Sequence, residues 1–421
     1  MMKSGPRSAT WMVTLMVATL GTSVTLGQMR PRTARVQLGV DVLIEEDFAP
    51  LAGKRVGLIT NPTGVTSDLR ATIDVLHEAK NVKLIALFAP EHGIRGEAYG
   101  GATIDDAKDS ITGMPVRSVY GKHRKPTPEM LADIDVLVFD IQDIGSRSYT
   151  FISTMALTME AAAENNVKFV VLDRPNPVTG VRVEGRPLNL KYQSFVGHLP
   201  IPYMHGMTVG ELAKMINGEG WLAGNVTCDL HVIPMKGWRR DMGFDDTHLH
   251  WVPTSPHIPR ADTSLYYAAT GIMGELRVIS EGVGYTLPFE LAGAPGIDPQ
   301  KFADELNARQ LPGLFFRPTV FRPFYGRYKD KTCGGVHVLL IDRDRVEATT
   351  IQFHVMDAVR KLHPQMKLFD GSRDAMFDKV CGTDRIRRMF VEGRPIDEII
   401  RFWKDGTDEF RSQRAPYLIY K

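Results

Sequence analysis

The 421-residue sequence predicts an α/β protein whose first and larger part is a doubly wound parallel sheet. Three observations carry this. Short apolar runs at 56–59, 84–88, 136–139 and 169–172 are bounded by polar turns and read as buried strands. Between them, 68–79, 127–132 and 149–165 have helical spacing, and Pro128 suits a first helical turn. Each apolar run also gives way at once to a polar cluster, which is where open parallel sheets place their ligands.

Farther along, Thr208 and Glu211 form a capping box that opens a helix over 209–216, and 230–234 reads as another strand. A loop at 251–259, rich in Pro, Ser and Thr, leads into helical spacing at 265–276. The stretch 282–289 then runs into turn-rich 292–299, which sets a soft domain boundary near Pro288. Helices at 302–308, 349–362 and 396–403 and a strand at 335–341 predict a smaller α/β domain after it. The chain is longer than one core usually occupies, in agreement with two domains.

At the start, Lys3 and Arg7 precede an apolar run at 11–20 and small or polar residues at 21–27, the layout of a secretory signal. The expected organisation is therefore a signal at 1–27, cleaved near Gln28, then domains at 28–288 and 289–421. The apolar run is shorter than the ~20 residues of a membrane span, and no later segment is apolar enough to cross a bilayer. Loss of 1–27 removes two basic and no acidic residues, so the net charge of +2 falls to about zero. That balance argues against nucleic acid as a partner. Cys228, Cys333 and Cys381 lack CxxC spacing, so buried free thiols are expected rather than a disulfide framework or zinc ribbon.

The candidate chemistry collects after the apolar runs. The first is followed by Asn61 and Thr63, the second by Pro90, Glu91, His92 and Arg95. The third leads into Asp140, Gln142, Asp143, Arg147 and Tyr149, and the fourth into Asp173, Arg174 and Asn176. Asn61, Asp173 and Asn176 fit turn chemistry as well as ligand contact, and His92 fits a satisfied buried histidine equally well. Glu91 stands apart, because glutamate has little use in turns or N-caps and here follows a proline, precedes His92 and lies near Arg95.

A second cluster holds Tyr203, His205, Thr254, Ser255, His257, Glu275, Glu281 and Tyr285. Aromatic rings beside carboxylates suit carbohydrate, though the same residues also suit a packed domain interface. Phosphate-cradling glycine loops, a GxSxG elbow and an HExxH helix are all missing from the sequence. His248, His250 and His257 lack the carboxylate partners of a metal site. Carboxylate acid/base chemistry is the reaction type best supplied with residues.

At these positions the sequence resembles the NamZ-type exo-β-N-acetylmuramidases, a glycoside hydrolase family formerly catalogued as a domain of unknown function. The matching blocks include GLITNPTGVT (57–66), LFAPEHGIRGEAYGG (87–101), SVYGKHRKPTPEML (118–131), VLVFDIQDIGSRSYTFISTM (136–155), LDRPNPVTG (172–180), WVPTSPHIP (251–259) and EGVGYTLPFELAGAP (281–295). The resemblance covers essentially the whole mature chain. It implies a Rossmann-like N-terminal domain, a smaller C-terminal domain, an active cleft between them, no cofactor, and release of β-1,4-linked N-acetylmuramic acid (MurNAc) from non-reducing ends. MurNAc-GlcNAc oligosaccharides from peptidoglycan are then the expected partners, met in the periplasm or outside the cell. The glutamate of the family's PEHG motif falls on Glu91, expected to be the general acid.

Asp140, Asp143, Glu184 and Glu281 are candidates for the second carboxyl group. Arg95, Arg147 and Arg174 are candidates for the lactyl carboxylate of MurNAc. Asn61, His92, Tyr149, Asn176, His205, His257, Glu275 and Tyr285 complete the expected substrate contacts. Met204 departs from the family pattern, which has a larger polar or basic residue before the HGMT block. The competing reading is a non-catalytic envelope receptor that captures muropeptides between two lobes.

Overall fold

The computed structural model describes residues 35–96 and 107–421, together with Met1, Met2 and Gly5. Apart from those three, the expected signal at 1–27 lies outside the described residues. Residues 35–421 form a single compact unit by their contacts.

Its larger sheet has seven strands: β1 (Arg55–Thr60), β2 (Lys83–Ala89), β3 (Ala107–Lys108), β4 (Pro115–Ser118), β5 (Val136–Asp140), β6 (Lys168–Leu172) and β7 (Leu230–Ile233). They run in the order β3-β4-β2-β1-β5-β6-β7, all parallel but the short edge strand β3. The helices between them are α1 (Gly39–Glu45), α2 (Thr72–Glu78), α3 (Pro128–Leu131), α4 (Phe151–Glu164) and α5 (Val209–Gly218).

Alternation along the central strands decides which face each helix covers. Leu137, Phe139, Phe169 and Val171 join a core with Ile152, Met155 and Met159 of α4 and Leu212 and Ile216 of α5. Val136, Val138, Val170 and Leu172 point the other way, toward Val40 and Leu43 of α1 and Ile73 and Leu76 of α2. Both faces are therefore covered, which is why these strands are apolar throughout rather than alternating. The expected capping box is present: Thr208 Oγ1 accepts from Glu211 N at 3.2 Å, and Glu211 Oε2 accepts from Thr208 N at 3.1 Å.

A smaller second domain carries a three-stranded antiparallel sheet of β8 (Leu291–Ala294), β9 (Leu314–Phe321) and β10 (Cys333–Leu340), in the order β8-β10-β9. The helices of this half are α6 (Thr263–Gly274), α7 (Pro299–Asn307), α8 (Ile351–Leu362), α9 (Asp374–Cys381), α10 (Arg385–Val391), α11 (Ile396–Lys404) and α12 (Thr407–Arg414). Phe302, Phe316, Val336, Phe353 and Trp403 belong to the same core as Phe139 and Phe169, so one apolar interior runs from sheet to sheet. The chain then returns to the first sheet, where Tyr420 donates to Asp173 Oδ2 at 2.5 Å.

Several elements differ from the sequence expectation. The helix expected at 68–79 starts at Thr72, because a turn closed by Thr66 N donating to Arg70 O, with Leu69 at φ 67°, precedes it. β8 lies across the boundary between 282–289 and the turn-rich 292–299, and its small residues hid it. β9 contains Pro318, which argues against a central strand; it is tolerated because β9 is an edge strand. The three cysteines are free and buried.

Candidate active site

Chain order reverses at β1: β2 and β4 follow on one side, β5, β6 and β7 on the other. The crevice beyond the carboxyl ends of β1 and β5 is thus the topological switch point. A pocket there is lined by Thr63, Val65, Gln142, Arg174 and Trp251, joining the ends of three strands to the 251–259 loop. Asn61 holds the Thr63 side of it: Oδ1 accepts from Thr63 N at 2.9 Å and Thr63 Oγ1 at 2.6 Å, while its buried Nδ2 has no partner among the described residues. Thr63 Oγ1 in turn accepts from Gln142 N at 2.8 Å. Asn61 therefore makes a turn, as its residue type allowed, and still presents one unused donor.

Glu91 follows β2 in a tight turn, closed by Gly93 N donating to Pro90 O at 3.1 Å, with His92 buried in the left-handed region at φ 71°. A non-glycine residue held there is costly, and such strain concentrates at functional sites. Two hydroxyls orient the carboxylate. Tyr120 Oη donates to Oε1 at 3.0 Å, and Thr150 Oγ1, at the start of α4, donates to Oε2 at 2.5 Å. Burial first, then the charge of Glu91, pushes the Tyr120 phenol up, so it stays a donor.

Asp143, beyond β5, is the other notable carboxyl group. Gly145 N donates to Oδ2 at 2.7 Å, while buried Oδ1 has no hydrogen-bond partner among the described residues. Burial pushes this carboxyl up to about 7. Tyr149 lies within electrostatic reach of both acids: burial raises its phenol most, and the charges of Asp143 and Glu91 add to the rise. Its hydroxyl shares a 2.7 Å hydrogen bond with Thr254 Oγ1, and its ring meets Tyr267 edge to face at 5.8 Å.

The three arginines expected at the lactyl carboxylate all make bonds within the protein, although Arg174 also lines the switch-point pocket and Arg147 Nε has no partner among the described residues. Arg95 donates through Nε and Nη2 to Asp109, both at 3.0 Å. Arg174 forms a buried pair with Asp140, at 2.6 Å from Nε and 2.9 Å from Nη2, and Thr72 Oγ1 donates to the same carboxylate at 2.6 Å. Arg147 is fully buried and bonds four carbonyls, those of Arg186, Ile201, Val380 and Cys381. Asp140 is likewise occupied, which leaves it poorly placed to exchange protons with a substrate.

Other expected contacts also turn inward. Asn176 closes a turn, accepting from Val178 N and donating to Met207 O. His205 is buried and pushed down to about 3, first by burial and then by Arg414 and Arg147, so it is a neutral acceptor for Met207 N. Glu184 accepts from Arg182 at 2.7 Å and from Thr349 N at 3.0 Å. Met204 is fully buried and bridges Glu184 and Ser146 through its backbone, so its side chain forms no part of a polar wall.

The second cluster gathers where α6 ends. Glu275 accepts from Arg373 Nη2 at 3.0 Å. Burial, with Glu275 adding, pushes the Glu281 carboxyl up to about 7, and the charges of Arg327 and Arg277 oppose this. A Cβ on Gly274 would stand 2.8 Å from the Glu281 carboxyl carbon, so glycine permits that approach. Tyr285 packs on Phe321 and Phe324, and His257 stacks on Tyr325 with ring centroids 5.9 Å apart. Sequence reasoning did not single out Tyr120, Thr150, Tyr325 or Arg327. Tyr120 directly follows the short strand β4 and Val119, and that polar strand end was the available signal.

Family models described as exo-beta-N-acetylmuramidase NamZ match this chain at 56–262 for the N-terminal part and 265–420 for the C-terminal part. A peptidoglycan beta-N-acetylmuramidase NamZ of Bacillus subtilis (strain 168) is 45% identical over 386 residues, 92% of each chain. The fold matches crystal structures of two DUF1343 family proteins from Bacteroides fragilis NCTC 9343. One has TM-score 0.89 and 49% identity, covering 93% of this chain and 100% of that one. The other has TM-score 0.76 and 32% identity, covering 92% and 99%. With both family models matched in succession and that relative aligned over nearly the full length, the chain belongs to the exo-β-N-acetylmuramidase NamZ family.

Proposed function

We propose that this protein is an exo-acting glycoside hydrolase that releases non-reducing terminal β-1,4-linked MurNAc from peptidoglycan fragments, with Glu91 as general acid. The observation that carries the reading is the seat of Glu91, a strand-end carboxylate oriented by the Tyr120 and Thr150 hydroxyls beside the switch-point crevice. Glu91 donates its proton to the glycosidic oxygen as the bond to the anomeric carbon breaks. Asp143 is the second carboxyl group, its unpartnered Oδ1 accepting from the group that attacks that carbon. Asp140 and Glu184 are already bound within the protein, which favours Asp143 over them.

Glu91→Gln keeps the shape and loses the proton, so turnover of MurNAc-GlcNAc should fall roughly 10²-fold to 10⁴-fold with folding intact. Nitrophenyl-MurNAc, whose leaving group needs little protonation, should suffer less. Near-normal cleavage of the disaccharide by a folded Glu91→Gln enzyme would refute the assignment. Binding of muropeptides without any release of free MurNAc by the wild type would favour a receptor instead. We further propose that the protein acts after export in cell-wall turnover; an intact N-terminus recovered from the cytoplasm by mass spectrometry would count against that.

A further inference from the structure

We propose that Arg327 reads the lactyl carboxylate of the terminal sugar and so sets the preference for MurNAc over GlcNAc; this inference rests on the muramidase reading above. Arg327 lies in the connection between β9 and β10, and its Nε and Nη1 are buried with no hydrogen-bond partner among the described residues. Arg95, Arg147 and Arg174 direct donors to Asp109, to backbone carbonyls and to Asp140, and of the three only the enclosed Arg147 keeps a buried unmet group, its Nε, among the described residues. A desolvated guanidinium with unmet N–H groups is costly, and an anionic ligand is what satisfies it. Of the two sugars, only MurNAc brings a carboxylate.

The connection that carries Arg327 also reaches the catalytic side of the crevice. Tyr325, two residues earlier, stacks on His257 and hydrogen-bonds its Nε2. His257 belongs to the same loop as Thr254, the partner of Tyr149, and lies within electrostatic reach of His92, next to Glu91. Gly284, at φ 95°, seats the connection, since a Cβ there would stand 2.2 Å from Tyr325 O. The guanidinium rests over the Tyr328 ring, 4.8 Å from its centroid, and the Tyr328 hydroxyl donates to Val278 O at 2.8 Å. Arg327 is thus held by its neighbours, with Tyr328 also as a side-chain hydrogen-bond partner, while Nε and Nη1 have no partner among the described residues. Glu281, the acid within reach, is pushed up to about 7 by burial, so at neutral pH it only partly balances the guanidinium.

The test compares nitrophenyl β-MurNAc, the same glycoside with its lactyl carboxylate converted to the amide, and nitrophenyl β-GlcNAc. Wild-type enzyme should strongly prefer the first. In Arg327→Met, kcat/KM on the MurNAc glycoside should fall roughly 10²-fold to 10³-fold, mainly through KM. The amide and the GlcNAc glycoside should react about as in wild type, within roughly threefold. Should Arg327→Met not fold, Arg327→Lys keeps the charge without the planar fork, and its smaller loss should again be confined to the MurNAc glycoside. Undiminished preference in a folded variant, or an equal loss on all three glycosides, overturns the role of Arg327 while the muramidase reading stands. A transfer of the effect to Arg124→Met, the exposed arginine over the Phe195 ring, would overturn it as well. Wild-type enzyme that hydrolyses none of the three sinks the muramidase reading itself.

Discussion

Replacing Asp143 with asparagine is expected to make the protein more stable above neutral pH while reducing its turnover. The wild-type carboxyl group is buried and is pushed from its ordinary 3.8 up to about 7 by that burial, against the opposing pull of the Gly145 and Ile144 backbone N–H groups. Between these two values the unfolded chain has released a proton that the folded protein still holds. Stability therefore declines as pH rises through that window, and below it the group contributes no penalty. Integrated across the window, the cost reaches roughly 4 kcal/mol at pH 8, an upper figure because local relaxation and water entry reduce it. Asparagine keeps an acceptor for Gly145 N, places a neutral amide where Oδ1 stood, and carries no charge to desolvate.

For a protein of this size the gain corresponds to a rise in melting temperature of roughly 5 °C at pH 8, shrinking toward zero at pH 4. Thermal melts of both proteins across this range give the difference directly. Activity should move the opposite way, falling roughly 10²-fold or more on MurNAc-GlcNAc, because the proton acceptor is gone. In wild type, kcat/KM should rise with pH through about 7 as Asp143 ionises. A variant less stable than wild type at pH 8, or one whose stability difference ignores pH, would show that burial does not hold this carboxyl group protonated. Unchanged turnover would remove Asp143 from the chemistry and direct attention to Glu281.

Arg147→Met leaves three buried carbonyls and one partly buried carbonyl without their donor, so stability should fall by roughly 3–5 kcal/mol in denaturant melts. A stable variant with selectively impaired MurNAc binding would instead place Arg147 at the substrate. Tyr120→Phe removes one hydroxyl that holds Glu91; losing that hydrogen bond should cost about 10-fold in kcat at nearly constant melting temperature. Wild-type kcat in Tyr120→Phe would show that the acid is positioned without Tyr120.

The sheet was legible in the sequence because its signal is local. A strand covered on both faces is an unbroken apolar run, and the runs at 56–59, 136–139 and 169–172 needed no distant partner to be recognised. The strands that escaped notice lack that signal: β3 and β4 are only two and four residues long, β8 is LAGA, and β9 carries Pro318 on a half-exposed edge. The polar strand ends were equally visible, and Glu91 stood out by residue type alone.

What sequence does not reveal is which polar groups are already spent. Arg95, Arg147 and Arg174 each stand within two residues of a glycine or proline after an apolar run, and nothing local separates them from a ligand-binding arginine. Their partners come from elsewhere: Asp109 fourteen residues on, Asp140 from the neighbouring strand, and carbonyls at Val380 and Cys381 more than 230 residues away. Folding sorts the polar residues into those that satisfy one another and those that keep unmet capacity. Among the described residues the second group includes Asp143 Oδ1, Asn61 Nδ2 and Arg327 Nε and Nη1, contributed by three separate loops. A protein bears the cost of such groups where a ligand relieves it. The choice of second carboxyl group and specificity arginine therefore rests on unsatisfied bonding, whereas Glu91 is chosen by residue type and by the two hydroxyls that hold it; the variants at Asp143 and Arg327 test that criterion independently.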